Sequence, residues 1–495
     1  MRKRELTKQE LIHFGSSERL GNMTRIVVVG GGLSGVASAL AIADSSPEDE
    51  VILVESRAQL GGRVSSIKDP KSGLLLDNCQ HACFRVYDCF LQLLARCGAR
   101  DSIKLQAKTD LPFLQVGGGR IASLSDGRLE PPNHMAGSMI KFPFLSLSDK
   151  IAMRKVIKEL SEMTTEQMSA LDDLNFEQWL IEKGQSQRAI DRFWGFFVLA
   201  ALNIPVSQAS AALSAFLFQR GLFGDAHAFD VGAFTSDLSD SLHPHLLRTL
   251  EESGVEVKLS SKVNSISKEN GLEVCLSGEI ISCEKIVVAL PHHLTGRLLS
   301  EFSEIVEAVD QLEYRSLIGI HALHSAEVLP NSFTFAVCVD EPIIQMLFNK
   351  NSEIDEEKIP EGIGQWVSVP ISCGDKWLDW DDEQFLEEYR RVVKGTYPDL
   401  WNEPDSFVVI RNRKATFAPL PGSEKYRLSQ DLIAKDGIYI AGAWTNTDWP
   451  STMEGAVRSG LLAASSLLNE NWNPEKKWRW WPSPPKRGDD SWRTW

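Results

Sequence analysis

The sequence predicts an α/β fold in which a discontinuous, Rossmann-like dinucleotide-binding domain carries an inserted helical and mixed-sheet substrate domain. Three observations support it. An apolar run, Ile26 to Val29, empties into Gly30-Gly31-Gly32-Leu33-Ser34-Gly35. At the other end of the chain, Gly437-Ile438-Tyr439-Ile440-Ala441-Gly442-Ala443-Trp444-Thr445 leads into Pro450-Ser451-Thr452-Met453-Glu454-Gly455-Ala456. Between them the pattern runs from helical spacing to strand-like alternation. The two ends are therefore expected to meet around one long dinucleotide, and the residues between them to build a substrate chamber.

The first strand is apolar throughout, as a parallel strand buried on both faces requires. Gly30 allows the tight turn, Gly32 lets a pyrophosphate approach the backbone, and Gly35 lets helix and strand pack closely. Leu33, Ser34 and Gly35 open an Ala-rich helix (36–43) whose N-terminus faces the phosphate charge. A second apolar strand, Val51-Ile52-Leu53-Val54, ends at Glu55, near the spacing of about 20 residues at which an acid meets the adenosine ribose. Leu60-Gly61-Gly62-Arg63 follows, and it resembles the second glycine pair of the FAD-containing amine oxidase and carotenoid desaturase superfamily. The resemblance implies FAD, with Arg63 a charge-assisted donor to the pyrophosphate and Gly62 giving close backbone approach.

The FAD-binding domain is expected to comprise 24–78, 255–291 and 437–469. In its middle piece, Val255 to Leu259 and Val263 to Ile266 read as paired strands, with an apolar strand at Lys285 to Leu290. The resemblance sets the backbone near Val263 against adenine. In the last piece, 455–468 reads as a helix with its N-terminus toward the flavin. The substrate domain is expected at 79–254 and 292–434. Its first insertion is mostly helical by pattern, at 160–182 and 186–202. The second begins with a helix and then alternates through 317–323 and 333–339, as strands of a mixed sheet do. Residues 1–22, polar and mixed in charge, read as a disordered leader. Residues 470–495 read as a separate tail rich in tryptophan and basic residues.

Composition narrows the partners. The chain has 52 basic and 67 acidic residues, a net charge of −15, which argues against nucleic acid. Its eight cysteines include no Cys-x-x-Cys pair, so reduced thiols are expected. No metal site is expected, because the adjacent His292 and His293 diverge and have no acidic partner at ligand spacing. No apolar stretch reaches the roughly 18–20 residues that cross a bilayer. The protein is expected to be cytoplasmic, with peripheral contact on the inner face of the cytoplasmic membrane. Two segments could make that contact. Residues 139–160 mix Ile140, Phe142, Phe144, Leu145, Leu147 and Ile151 with Lys141, Lys150, Arg154 and Lys155, a composition that suits a membrane face. In the tail, Trp472, Trp478, Trp480, Trp481, Trp492 and Trp495 lie among lysines and arginines, as at a bilayer interface. A lid helix packed on the core and a disordered or partner-docking tail are the alternatives.

Four stretches extend the resemblance to one branch of the superfamily, the squalene-associated hydroxysqualene dehydroxylases. They are Leu76-Asp77-Asn78-Cys79-Gln80-His81 followed by Tyr87; Lys141-Phe142-Pro143-Phe144-Leu145; Phe193-Trp194 through Asn203-Ile204-Pro205; and Pro450 to Gly460. The resemblance implies reduction of hydroxysqualene, a C30 isoprenoid allylic alcohol, to squalene with loss of water, using electrons from a donor the sequence does not identify. Two positions depart from the branch. Cys79 stands where glycine is common, and Ala443 where an aspartate usually bonds the ribityl-phosphate region. Loss of one such bond costs about 1–2 kcal/mol.

His81 is the first candidate for proton donor or leaving-group contact, with Asp77, Asn78 and Gln80 as orienting partners. Tyr87 is the second. Gly442 and Ala443 are expected beside the flavin, and the Met453 N–H at its pyrimidine carbonyl. Glu454, stabilised as an anion at a helix N-terminus, is expected to bind ribityl or to cap. Phe193, Trp194, Phe196, Phe197, Phe216, Phe218 and Phe223 suit a polyprenyl chain, although ordinary core has the same composition. Rival readings are a carotenoid- or phytoene-type desaturase, an amine oxidase, and a flavin-deficient prenyl-lipid carrier.

Overall fold

A computed structural model describes residues 23–269, 271–479 and 481–495, so the expected leader (1–22) and Trp480 lie outside the described residues. At its centre is a five-stranded parallel sheet in the order Glu256–Lys258, Glu50–Val54, Arg25–Val29, Lys285–Val288, Ile438–Ile440. Ile26, Val27 and Val28 are completely buried, which is why this strand reads as an unbroken apolar run rather than an alternating one. The strand Ile438–Ile440 from the far end of the chain adds beyond Lys285–Val288.

Two glycines set the close packing around the first helix, one of them joining the two ends of the chain. The helix Leu33–Ser45 packs on the helix Met453–Leu467, and a Cβ on Gly460 would lie 2.1 Å from the Ser34 carbonyl oxygen. The Ser38 hydroxyl donates to the Gly460 carbonyl across this contact, at 3.0 Å. A Cβ on Gly35 would lie 1.8 Å from the Gly30 oxygen, so helix and strand close only around glycine.

The middle piece pairs differently from the sequence expectation. Glu256–Lys258 joins the parallel sheet beside Glu50–Val54, while Val263–Ser267 starts a separate antiparallel sheet with Leu272–Leu276 and Ile280–Cys283. Between the two strands Ser260 takes a left-handed φ of 53°, and the Ser260 and Ser261 amides donate to the Arg57 and Glu55 carbonyls. That anchorage turns the chain away from a hairpin. Alternation alone does not choose a strand's partner.

The first insertion is also less helical than expected. Residues 160–182 are not one helix but the end of Leu147–Glu162, then Thr165–Ser169 and Phe176–Glu182. Ser146, Thr164 and Asn175 start these three, each side chain accepting the N–H three residues on, so each cap begins a new helix where periodicity saw continuity. The same insertion supplies the strands Asp110–Gln115 and Arg120–Ser125 to a seven-stranded sheet otherwise built by the second insertion. That sheet includes Tyr314–His324 and Phe335–Val339, close to the two predicted alternating runs.

The tail packs onto the body. Arg493–Thr494 pairs in parallel with Ile103–Leu105. Trp478 and Trp481 are completely buried, and the Trp481 indole donates to Asp44 at 2.9 Å. Arg487 bridges Asp126 and Asp230, and Arg493 holds Asp355. These tryptophans bury their rings against the protein itself. No helix among the described residues is long and apolar enough to cross a membrane.

Candidate functional site

One cavity of about 690 Å³ lies between the parallel sheet and the seven-stranded sheet. Its polar end is built by both ends of the chain. Gly30, Gly32, Leu33, Ser34, Glu55, Gly62 and Arg63 line it, as do Gly442, Ala443 and Met453. Two glycine segments close against each other here: the Gly61 amide donates to the Gly31 carbonyl at 2.9 Å, and a Cβ on Gly62 would lie 2.9 Å from the Gly32 Cα. The N–H groups of Leu33, Ser34 and Gly35 open the helix with no side-chain cap and no acceptor among the described residues. Such unclaimed donors at a helix N-terminus attract an anion.

Two charged residues complete this end. The Glu55 carboxylate is fixed by the Gly31 amide at 2.7 Å and the Arg57 amide at 2.8 Å. Arg63 donates to the Ala415 carbonyl at 2.6 Å and forms no ion pair with a carboxylate among the described residues. Burial pulls its pKa below the usual guanidinium value. A half-buried cation without a counter-charge among the described residues, beside unclaimed N–H donors, fits the diphosphate of a dinucleotide.

Three predicted residues do not line the cavity. Gly35 serves the helix–strand contact already described. Val263 lies in the antiparallel sheet, outside the cavity wall. Glu454 turns away and is completely buried. It bonds Arg458 at 2.6 Å and accepts the Cys89 and Phe90 amides at 3.2 and 2.8 Å, so it caps the helix Asp88–Arg96 rather than touching ribityl. Its N-terminal position signalled an anion site, but the donors it serves belong to another helix. Ala443 contributes only a buried methyl, and its neighbour Gly442 donates to Ser459 Oγ.

The polar end leads into an apolar chamber walled by Leu111, Phe196, Phe197, Phe335, Val337 and Phe348. Phe193, Trp194, Phe218 and Phe223 instead pack against one another, edge-on and stacked, in the core behind it, while Phe216 lines a small apolar pocket beside the chamber. At the junction stand Asn78, Gln80 and His81. The contact between His81 Nδ1 and the Cys79 carbonyl, 2.9 Å, requires Nδ1 to carry the proton and leaves Nε2 as an acceptor. Burial lowers the His81 pKa, so the ring is neutral. The structure therefore presents His81 as an acceptor, not the proton donor expected from sequence. Asn78 Oδ1 and Gln80 Oε1 are buried without a partner. Tyr87 also lines the chamber, its ring edge-on to Phe84 and Trp449. Burial raises its pKa well above the usual phenol value, so it keeps its proton. Cys79, likewise buried, has its thiol pushed up to about 12 and is inert.

Sequence reading missed the residues that hold this arrangement. Lys350 is buried between Asp77, at 3.3 Å, and Glu353, at 3.2 Å. Glu353 in turn accepts from Gln80 at 2.9 and 3.1 Å. Arg427 donates to the carbonyls of Trp444, Thr445 and Trp449, stapling the loop that follows Ala443. Neither residue sits in a motif, and the contacts that tie them to the site, Asp77 for Lys350 and the 444–449 carbonyls for Arg427, lie outside their own helix or turn.

The comparisons with known proteins agree with this geometry. The model of the family described as flavin containing amine oxidoreductase matches residues 33–468. The chain belongs to this family. It is 23% identical over 476 residues to a 15-cis-phytoene desaturase of Narcissus pseudonarcissus, covering 92% of this chain and 81% of that one. It is 24% identical over 447 residues to a hydroxysqualene dehydroxylase of Rhodopseudomonas palustris, covering 89% and 97%. Among solved structures, a putrescine oxidase superposes with a TM-score of 0.69 at 17% identity, over 91% of this chain and 100% of that one. A cyclohexylamine oxidase from Brevibacterium oxydans gives 0.65 at 16%, over 90% and 99%. The fold is therefore that of the FAD-binding amine oxidases, and this chain is an FAD-dependent oxidoreductase; the glycine-lined end of the cavity carries the donors that would hold the cofactor. The two Rossmann-type signatures predicted both fold and cofactor.

One pH effect follows from the turn beside this site. His292 is buried, stacked on Tyr314 at 3.9 Å. Burial, with the charges of His293 and Arg63, lowers its pKa from 6.5 to about 3. The fold holds the neutral ring, so this contribution is complete above pH 6.5 and is lost as pH falls from there toward about 3. His292→Phe keeps a stacking ring and removes the titration. Denaturant unfolding at pH 7 and pH 4 is expected to show a smaller acid loss in the variant, and an equal loss in both proteins counts against this assignment.

Proposed function

We propose that this FAD-dependent oxidoreductase reduces hydroxysqualene to squalene with loss of water. The observation supporting this reading is the junction: Asn78, Gln80 and His81 line the same cavity as the phenylalanine-rich wall of Phe196, Phe197, Phe335 and Phe348. Such a site suits a long hydrocarbon carrying one hydroxyl. Reduced FAD, when bound, supplies the two electrons, and with two protons the C–O bond becomes C–H and water leaves. His81 Nε2 accepts the substrate O–H and thereby fixes the carbon that loses oxygen. Tyr87, which stays protonated, is the phenol available to donate to the departing oxygen. The phenylalanine walls exclude bulk water, which strengthens both contacts. The similarity to the Rhodopseudomonas palustris enzyme supports the reading.

A second reading is favoured by the state of His81. A neutral acceptor is also a base, as desaturation of a polyprene by oxidised flavin needs, and phytoene desaturases are equally similar relatives. Product analysis separates the two. Anaerobically reduced protein given hydroxysqualene is expected to yield squalene, and conversion of phytoene to a polyene under oxidising conditions, without squalene, overturns the proposal. His81→Ala is expected to lower turnover about 100-fold while the yellow flavin spectrum stays unchanged.

A further inference from the structure

We propose that the face formed by Ile140, Leu147 and Ile151 docks onto a lipid bilayer containing anionic headgroups. This deepens the polyisoprenoid reading and rests on it for its purpose, though not for its test. These three side chains are 74%, 74% and 59% exposed, in one short stretch of a chain whose other large apolar residues are mostly buried. The helix Leu147–Glu162 explains why. Met153, Val156 and Leu160 face the core, while Leu147, Ile151, Arg154 and Lys158, at spacings of four, three and four residues, share the opposite face. Ile140 is drawn to the same place, because Lys150 Nζ donates to the carbonyls of Ile140 and Phe142 at 2.9 and 2.7 Å.

Charge selects the occupant. Against a chain total of −15, residues 139–162 hold five cations (Lys141, Lys150, Arg154, Lys155 and Lys158) and three carboxylates, of which Glu162 lies 3.9 Å from Lys158 and Glu159 pairs with Lys183. Asp149 is buried and engaged by Ser146, Ser186 and Arg188, so the exposed part of the patch is an apolar tip with a basic collar. That arrangement matches an acyl interface beneath anionic headgroups. The patch also backs onto the chamber. Phe142 and Phe144, beneath it, touch at 5.2 Å between ring centroids; Phe142 meets Phe113 at 4.9 Å, and Phe113 meets Phe196, in the chamber wall, at 5.6 Å. A polyisoprenoid dissolved in the bilayer would be two ring layers from the site.

Cosedimentation of the flavin-loaded protein with phosphatidylcholine vesicles, with and without phosphatidylglycerol, tests this. Binding is expected only with phosphatidylglycerol, and weaker by about tenfold or more in Leu147→Ser/Ile151→Ser and in Arg154→Glu/Lys155→Glu. Ile280→Ser removes an equally exposed isoleucine, 63% accessible, elsewhere, and is expected to bind like the unaltered protein. Absence of binding, or variants that bind equally well, overturns the proposal. So does light scattering that shows a dimer dissociated by Leu147→Ser/Ile151→Ser, which assigns the face to a second copy of the chain. All variants are expected to turn over detergent-dispersed substrate normally, so lost vesicle binding with normal product sinks only the docking face. Normal binding without squalene sinks only the proposed reaction.

Discussion

Gly62→Ala is expected to give a folded protein that purifies without its yellow flavin. Gly62 has a φ of +63°, and a Cβ there would sit 2.9 Å from the Gly32 Cα, backbone against backbone. An L-residue in this conformation costs about 1–2 kcal/mol, and the contact must then push the two glycine segments apart. The first of them carries the unclaimed N–H groups of Leu33, Ser34 and Gly35, and Gly62 is followed by Arg63, so displacement separates the diphosphate's donors from one another. Misplacing those donors by enough to lose about 1.4 kcal/mol of binding energy weakens FAD tenfold. Gly73→Ala is the control: its φ is +74° with nothing within 4 Å of the added Cβ, so it carries the strain without the clash. Absorbance of the bound flavin and a thermal melt of the flavin-free proteins check the result. Full FAD retention by Gly62→Ala, or equal loss in both variants, contradicts the assignment.

Lys350→Met is expected to destabilise the protein by about 3–5 kcal/mol, read as a shift in the denaturant midpoint. Burial opposes the ammonium, yet Glu353 and Asp77 overcome it and raise the Lys350 pKa, so the buried cation is retained. Without it, two carboxylates share an interior from which water is excluded. Asp77 also accepts the Ser66 hydroxyl and the Leu238 amide, both at 2.9 Å, and cannot simply turn away. Adding Glu353→Gln removes one stranded charge and is expected to recover part of the loss. If Lys350→Met alone melts like the unaltered protein, the ion cluster does not hold this junction. Because Glu353 also anchors Gln80, the single variant should lower turnover as well.

The two predictions mark different degrees of legibility. Gly62 could be chosen from sequence because its constraint is local: a short glycine segment at a fixed distance from Glu55 has few other uses. Lys350 could not, because nothing near it in the chain announces a partner among residues 77–80. The same contrast separates Glu55 from Glu454. Both are acids at helix or strand ends near a glycine motif, but the donors that claim Glu454 lie on the helix Asp88–Arg96. Ala443 was legible as a departure from the resembling branch. The Arg427 staple that steadies the loop beside it was not.

By itself the sequence determined the fold class, with its parallel sheet drawn from both ends of the chain, and the class of cofactor. These follow from backbone geometry and short-range periodicity, where residue type is the constraint. Only the tertiary structure decided the rest. It sent Glu256–Lys258 into the parallel sheet, folded the tryptophan tail onto Asp44 and turned Glu454 away from the cavity. It also left His81 an acceptor and exposed Ile140, Leu147 and Ile151. Each of those outcomes depends on which distant surface a segment meets. Burial, charge and hydrogen-bond partners are properties of that meeting, and no local pattern carries them.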